Sequence, residues 1–191
     1  MIRIHRAIDV ASHIHLDQYR KDIDFTIPYI SHPFSVSMIL LGHGCDEDVI
    51  IAGLFHDVKE DRPCGMSLVE QFGENVVSIV GEVSERKFDD DGNKISWSER
   101  KFEHSERLRT SSVGSKQVTS ADKIHNMRSI ILSHERGTHI WDVLNSTPDE
   151  NISRLHHLFE CLREGWCEDE LHSLLTEYLS TLKDMERIVR Q

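Results

Sequence analysis

Ala52-Gly53-Leu54-Phe55-His56-Asp57-Val58-Lys59-Glu60-Asp61 runs from an apolar stretch straight into four side chains that can all bind a metal. On a helix, His56 and Glu60 stand at i and i+4, as do Asp57 and Asp61, so the four share one sector beside the apolar residues. The His-Asp pair says little alone, because a chain with 13 His and 33 acidic residues yields such a pair by chance. A solvated acidic helix end reads the same way. What surrounds the pair has to decide.

Outward from this stretch, apolar residues recur at helical spacing almost throughout, and no alternating strand is followed by a crossover helix. Asp46 can cap the helix that carries Val49, Ile50, Leu54, Phe55 and Val58. Before it, Pro33 opens a helix that Gly42 and Gly44 close. Ser67 with Glu70 spells a capping box, opening a short helix that Gly73 ends. A further helix is expected over 75–84, then a polar, acidic surface loop over 85–94. Ser96 with Glu99 is a second capping box, starting a helix to about Arg109. Ser112-Val113-Gly114-Ser115 reads as an interruption, with helical periodicity resuming over 118–132. Thr147-Pro148-Asp149-Glu150 combines an N-cap, Pro at N1 and Glu at N3. Two helices follow, broken around Gly165-Trp166-Cys167. The expectation is an all-α chain forming one domain over 1–191. Its motif-bearing core covers about 5–145, and C-terminal helices over 148–191 complete or extend it.

Composition narrows the function. The 191 residues, 38% hydrophobic and 29% charged, are those of an ordinary soluble domain. No apolar run approaches a membrane span, and no apolar segment follows the first residues as a secretory signal requires. Cys45, Cys64, Cys161 and Cys167 show no paired spacing and fit a reducing, cytoplasmic setting. A net charge of -11 argues against DNA or RNA as partner. A small anionic substrate remains compatible if the site itself is positive, and a divalent cation would make it so. A homo-oligomer is compatible with everything above.

Two further segments complete a ligand set. Pro28-Tyr29-Ile30-Ser31-His32-Pro33-Phe34 puts His32 at the mouth of a helix, where a plain turn is the alternative. Ser120-Ala121-Asp122-Lys123-Ile124-His125-Asn126-Met127-Arg128 puts an Asp among apolar neighbours, costly to bury unless paired or coordinated, with Asn126 one turn on. An ion pair to an Arg would also account for it. Together His32, His56, Asp57 and Asp122 offer two imidazoles and two carboxylates, suited to manganese, iron, cobalt or zinc and poorly to calcium. Glu60 and Asp61 would then flank an activated water and take or orient its proton.

The ordered set His32, His56-Asp57 and Asp122 resembles the HD superfamily of metal-dependent phosphohydrolases. The wording of the three segments, with Trp97-Ser98-Glu99-Arg100-Lys101, resembles more narrowly the hydrolase domain of RelA/SpoT proteins and the small stand-alone alarmone hydrolases. That resemblance implies a manganese-dependent hydrolysis of guanosine 3′,5′-bis(diphosphate), with pyrophosphate leaving the 3′ position. It implies His32, His56, Asp57 and Asp122 as metal ligands and Glu60 and Asp61 as the water-activating acids. Asn126 would line the nucleotide site. The family's basic turn before Pro-Tyr reads here Tyr19-Arg20-Lys21-Asp22-Ile23-Asp24, without its Gly, which makes Arg20 and Lys21 the equivalents. With Lys123 and Arg128 they are candidates for meeting phosphate. The alternatives are a phosphomonoesterase acting on another nucleotide and a catalytically silent nucleotide sensor.

Overall fold

A computed structural model of the protein describes residues 1–20, 27–138, 140–167 and 172–190. Its α-helices are α1 (Ile2–Ile14), α2 (Ser31–Gly42), α3 (Glu47–Phe55), α4 (Val58–Asp61), α5 (Met66–Val69), α6 (Glu74–Val83), α7 (Trp97–Leu108), α8 (Val113–Glu135), α9 (Pro148–Arg163) and α10 (Ser173–Val189). Among the described residues, extended pairing is limited to two isolated bridges, Tyr19 with Pro28 and Phe88 with Lys94. The all-α expectation holds.

The hub is α3. Every residue from Val49 to Phe55 is buried, and a helix apolar on all sides must be surrounded. Helices α1, α2, α6 and α8 do so. Full burial of Leu54 and Phe55 contributes about 1.5–3 kcal/mol each. At Gly53 a Cβ would stand 2.7 Å from Leu40 Cδ1 and 3.1 Å from Ser37 Oγ. The missing side chain is what lets α2 press against α3, where Ser37 Oγ donates to the Ile50 carbonyl at 2.9 Å. The long α8 runs past α2, α3 and α6, and α10 lies along it. Tyr178, fully buried on α10, donates to the Leu155 carbonyl on α9 at 2.9 Å. Helix α9 in turn packs on α7. One hydrophobic cluster extends from Ala7 to Met185.

Local chemistry explains most boundaries. Ser96, Ser112 and Thr147 each accept from the backbone N–H three residues on, and Thr147 with Glu150 forms the full capping box. Three expectations need correcting. Ser67 does not cap: it lies inside α5, whose N-cap is Gly65. The run at 112–115 starts α8 instead of interrupting it, because Ser112 caps it. Gly114 serves packing there, since a Cβ would stand 2.9 Å from Ile79 Cδ1 on α6. Nor do His56 and Glu60 share one helix. Helix α3 stops at Phe55, and Asp57, at φ −95° and ψ −4°, is the N-cap of α4. Such a conformation, between the helical and extended regions, recurs at active sites.

Candidate active site

That break turns two adjacent side chains inward together. Successive residues of a regular helix diverge by about 100°, whereas here His56 Nε2 and Asp57 Oδ2 come within 3.0 Å. Helix α2 delivers His32 from its first turn, and α8 delivers Asp122. His32 Nε2 stands 3.2 Å from His56 Nε2, 3.2 Å from Asp122 Oδ1 and 3.7 Å from Asp57 Oδ2. His56 Nε2 lies 3.8 Å from Asp122 Oδ1. All four residues expected as ligands therefore converge from three parts of the chain.

Their environment is demanding. His32, His56 and Asp122 are only 3%, 5% and 8% exposed. Burial drives the His32 imidazole below the usual histidine range. Burial also opposes charge on His56, but Asp57 and Asp122 outweigh it and lift this imidazole to about 9. Burial would raise Asp57, yet His56 pulls it well below the carboxylate range. Asp122 is held low against its burial by Lys123 and then His32. Two ionised carboxylates against one protonated imidazole leave the four groups with a net negative charge, which favours a cation among them.

Would a metal ion fit? Ligands about 2.1 Å from one ion, at right angles to each other, stand about 3 Å apart, close to the spacing of His32, His56 and Asp57, which form one compact group, with Asp122 Oδ1 facing His32 beside it. Both imidazoles are also held through their other nitrogen. His56 Nδ1 meets the Gly53 carbonyl at 2.8 Å and must carry the proton. That leaves its Nε2 lone pair for an ion. His32 Nδ1 lies 2.7 Å from His125 Nδ1, and a proton on the His32 side frees its Nε2 likewise. Burial and His32 push His125 down to about 3, so it accepts as a neutral ring. Tyr29 donates its hydroxyl to Asp57 Oδ2. The donor set fits a divalent cation of the borderline class.

The cluster lies on a cleft of about 460 Å³ whose wall includes Glu60, Asp61, Arg20, Lys123 and Asn126. Glu60 Oε1 accepts from the Glu85 backbone N–H at 2.8 Å. Burial, with the charges of Glu85 and Asp57, raises its carboxyl above the ordinary range. Asp61 accepts from Gln18 at 2.8 Å. Lys123 pairs with Asp122 at 2.5 Å, and Asn126 Nδ2 donates to Asp122 Oδ1 at 2.6 Å. Arg20 reaches Ser129 Oγ at 3.2 Å. Arg128 is not brought into the cleft: it pairs with Glu177 on α10 at 2.6 Å. Lys21 lies outside the described residues.

Several cleft residues went unassigned in the sequence reading. Tyr29, on the cleft wall, and His125, against His32, sit three residues from the candidate ligands His32 and Asp122, and that spacing was the available signal. Lys101 closes the Trp97–Lys101 segment, which assigns it no role, while Glu85 and Arg154 come from segments without a motif. Lys101 and Arg100 both pair with Glu85.

Comparison with known proteins places the chain in a family. The HD domain family matches residues 7–145. The chain is 38% identical over 127 residues to the mouse guanosine-3′,5′-bis(diphosphate) 3′-pyrophosphohydrolase MESH1, covering 65% of this chain and 67% of that one. It is 33% identical over 135 residues to the bifunctional (p)ppGpp synthase/hydrolase SpoT of Escherichia coli, covering 67% of this chain but 18% of that longer one. Among solved structures, a metazoan orthologue of SpoT, described as hydrolysing ppGpp and playing a role in starvation responses, superimposes with a TM-score of 0.75. It shares 26% identity over 96% of both chains.

Proposed function

Because the chain belongs to the HD domain family, we propose that it hydrolyses guanosine 3′,5′-bis(diphosphate), with pyrophosphate leaving the 3′ position. The observation that carries the reading is the convergence of His32, His56, Asp57 and Asp122 beside a cleft that also holds the carboxylates of Glu60 and Asp61. The names of relatives such as mouse MESH1 give the substrate class.

His32, His56, Asp57 and Asp122 hold a divalent ion, manganese in this reading, which when bound supplies Lewis-acid activation. Tyr29 and His125 fix the ligands on either side, through Asp57 and His32. Glu60 takes the proton of the attacking water: a carboxyl raised by burial is a stronger base near neutral pH than an exposed one. Asp61 orients that water. Asn126 lines the nucleotide site, while Arg20 and Lys123 face the phosphates. Arg128, engaged by Glu177, is left out of that role.

Residues 1–191 work as one domain in this reading, since Leu155 and Arg154 on α9 line the same cleft as the ligands. No described helix is long and apolar enough to cross a membrane. The unpaired cysteines favour the cytoplasm, which cell fractionation would check.

The decisive experiment incubates protein loaded with manganese with guanosine 3′,5′-bis(diphosphate) and separates pyrophosphate from orthophosphate. Pyrophosphate with guanosine 5′-diphosphate is the expected pair of products. Orthophosphate alone would mean a phosphomonoesterase, and no turnover by fully metallated protein would sink the reading.

A further inference from the structure

Glu106, near the end of α7, meets His157 and Cys161 of α9, which brings a carboxylate, an imidazole and a thiol to one point. None of the three is among the residues lining the cleft. His157 and Cys161 stand at i and i+4, so one turn of α9 presents both on one face. Glu106 Oε1 lies 3.0 Å from His157 Nε2 and 3.6 Å from Cys161 Sγ, and Sγ lies 3.7 Å from Nε2. Phe102, one turn before Glu106 on α7, stacks on the His157 ring with centroids 5.3 Å apart and planes at 13°. That stacking sets the plane in which the imidazole presents its nitrogen.

These separations match a tetrahedral ion. Zinc holds oxygen and nitrogen at about 2.0–2.1 Å and sulfur at about 2.3 Å. Tetrahedral angles then put sulfur about 3.5 Å from the oxygen and about 3.6 Å from the nitrogen, with oxygen and nitrogen about 3.3 Å apart. An ion pair needs only the carboxylate and the imidazole; the thiol placed almost equally from both makes a ligand set. Arg109 is the cation already there. It donates through Nε to Glu106 Oε2 at 3.0 Å and through Nη2 to Oε1 at 3.2 Å, and it also pairs with Glu164. An ion at Oε1 would displace the longer contact and leave the other. Cys161 is fully buried, whereas the side chains of Glu106 and His157 are 39% and 35% exposed. An ion would therefore enter from the solvent side and keep water in a fourth position.

We propose that Glu106, His157 and Cys161 form a second metal site, of the zinc class, that ties α7 to α9. A thiolate among the donors selects zinc over a harder ion such as manganese. When the ion binds, a metal–sulfur bond forms and the thiol proton passes to the solvent. Burial pushes that thiol up to about 11, so the charge of the ion is what stabilises the thiolate. Both helices reach the cleft, α7 through Trp97 and Lys101 and α9 through Asn151 and Arg154. An ion at this junction would fix the spacing of two helices in the cleft wall without touching the cleft. The proposal does not depend on what the cleft binds.

The test titrates the full chain, freed of metal by a chelator, with cobalt(II) and follows the sulfur-to-cobalt charge-transfer absorption in the near ultraviolet. The cluster of His32, His56, Asp57 and Asp122 contains no sulfur and is silent in that band, even when it also takes cobalt. The parent should develop the band, and zinc should abolish it by displacing cobalt while an equal concentration of manganese leaves it. Cys161→Ser should show no band, and Cys64→Ser, altering an exposed thiol, should show it in full. His157→Gln should need about tenfold more cobalt or greater, with its Tm in the absence of metal close to the parent's. No band in the parent overturns the proposal, as does a full band in Cys161→Ser or an unchanged titration in His157→Gln. Loss of the band to manganese as readily as to zinc overturns the assignment to the zinc class. If Cys161→Ser fails to fold, His157→Gln decides, because its ring is partly exposed. No nucleotide is turned over in this experiment, so failure of the proposed function would leave its outcome untouched.

Discussion

His32 Nε2 and His56 Nε2 stand 3.2 Å apart, and each faces a carboxylate, Asp122 or Asp57, at 3.2 Å or less. Two protonated imidazoles would repel at that separation, so the pair holds one ring neutral and one charged. In the proposed reading a divalent cation would satisfy all four groups at once. Manganese at about 100 times its Kd should then stabilise the fold by about 2.7 kcal/mol, read as a Tm rise of several degrees. Asp57→Ala and Asp122→Asn should abolish both the rise and turnover. A full rise in either variant would locate the ion elsewhere.

Tyr29→Phe and His125→Ala should each lower metal affinity or activity by about 10- to 100-fold. Both leave the four ligands in place and remove only what orients Asp57 and His32. A metal titration followed by activity separates this effect from damage to the fold. An unchanged titration in both variants would leave the ligands self-supporting.

For Glu60 the sign of the pH effect is fixed by its raised carboxyl. A proton acceptor must be ionised, so the rate should fall as pH drops through its folded pKa, above the ordinary 4.5. Glu60→Gln should lose about 10²- to 10⁴-fold in kcat while binding metal as before. A parallel loss of metal binding would make Glu60 a ligand and not a base.

His104 supplies a stability test away from the metal. Burial lowers it from 6.5 to about 4, and its Nε2 meets the Val83 carbonyl at 2.8 Å. The unfolded chain takes up this proton first. Full stability therefore holds above pH 6.5, is lost as pH falls from there, and the loss levels off near 4. The total is about 3 kcal/mol at most. His104→Gln keeps an N–H donor and should flatten this slope in urea titrations between pH 4 and 8. An equal slope would assign the acid sensitivity to other groups.

Gly53→Ala should cost about 1–3 kcal/mol, because the new methyl meets Leu40 and Ser37. The Gly53 carbonyl also anchors His56, so metal affinity should fall along with the urea midpoint. A drop in stability alone would show the anchor surviving the shift.

The helices were legible because caps and apolar spacing are local. Thr147-Pro148-Asp149-Glu150 and Ser96 behave as their residue types dictate. The four candidate ligands, which the fold brings together, were legible because each stands in a short, distinctive segment. The break at Asp57 was not, since a residue between the helical and extended regions has no side-chain signature and His56 to Asp61 scans as plain helix. Ser67 misled because Ser-x-x-Glu also arises inside a helix, where the hydroxyl bonds elsewhere. Arg128 misled because its face depends on α10, and Glu177 lies 49 residues away. Arg154 depends on how α9 packs against α7, which no local pattern records.

The stretch that matches the HD family stops at residue 145, and α9 begins at Pro148. The candidate ligands, with Arg20, Lys123 and Asn126, lie inside the matched stretch, whereas the part of the cleft wall that Arg154 and Leu155 supply lies beyond it. Inheritance can alter α9 without disturbing the ligands, so relatives with an identical metal cluster can diverge in the molecules they accept. Comparing such relatives by their shared segments alone would overlook the part that distinguishes them.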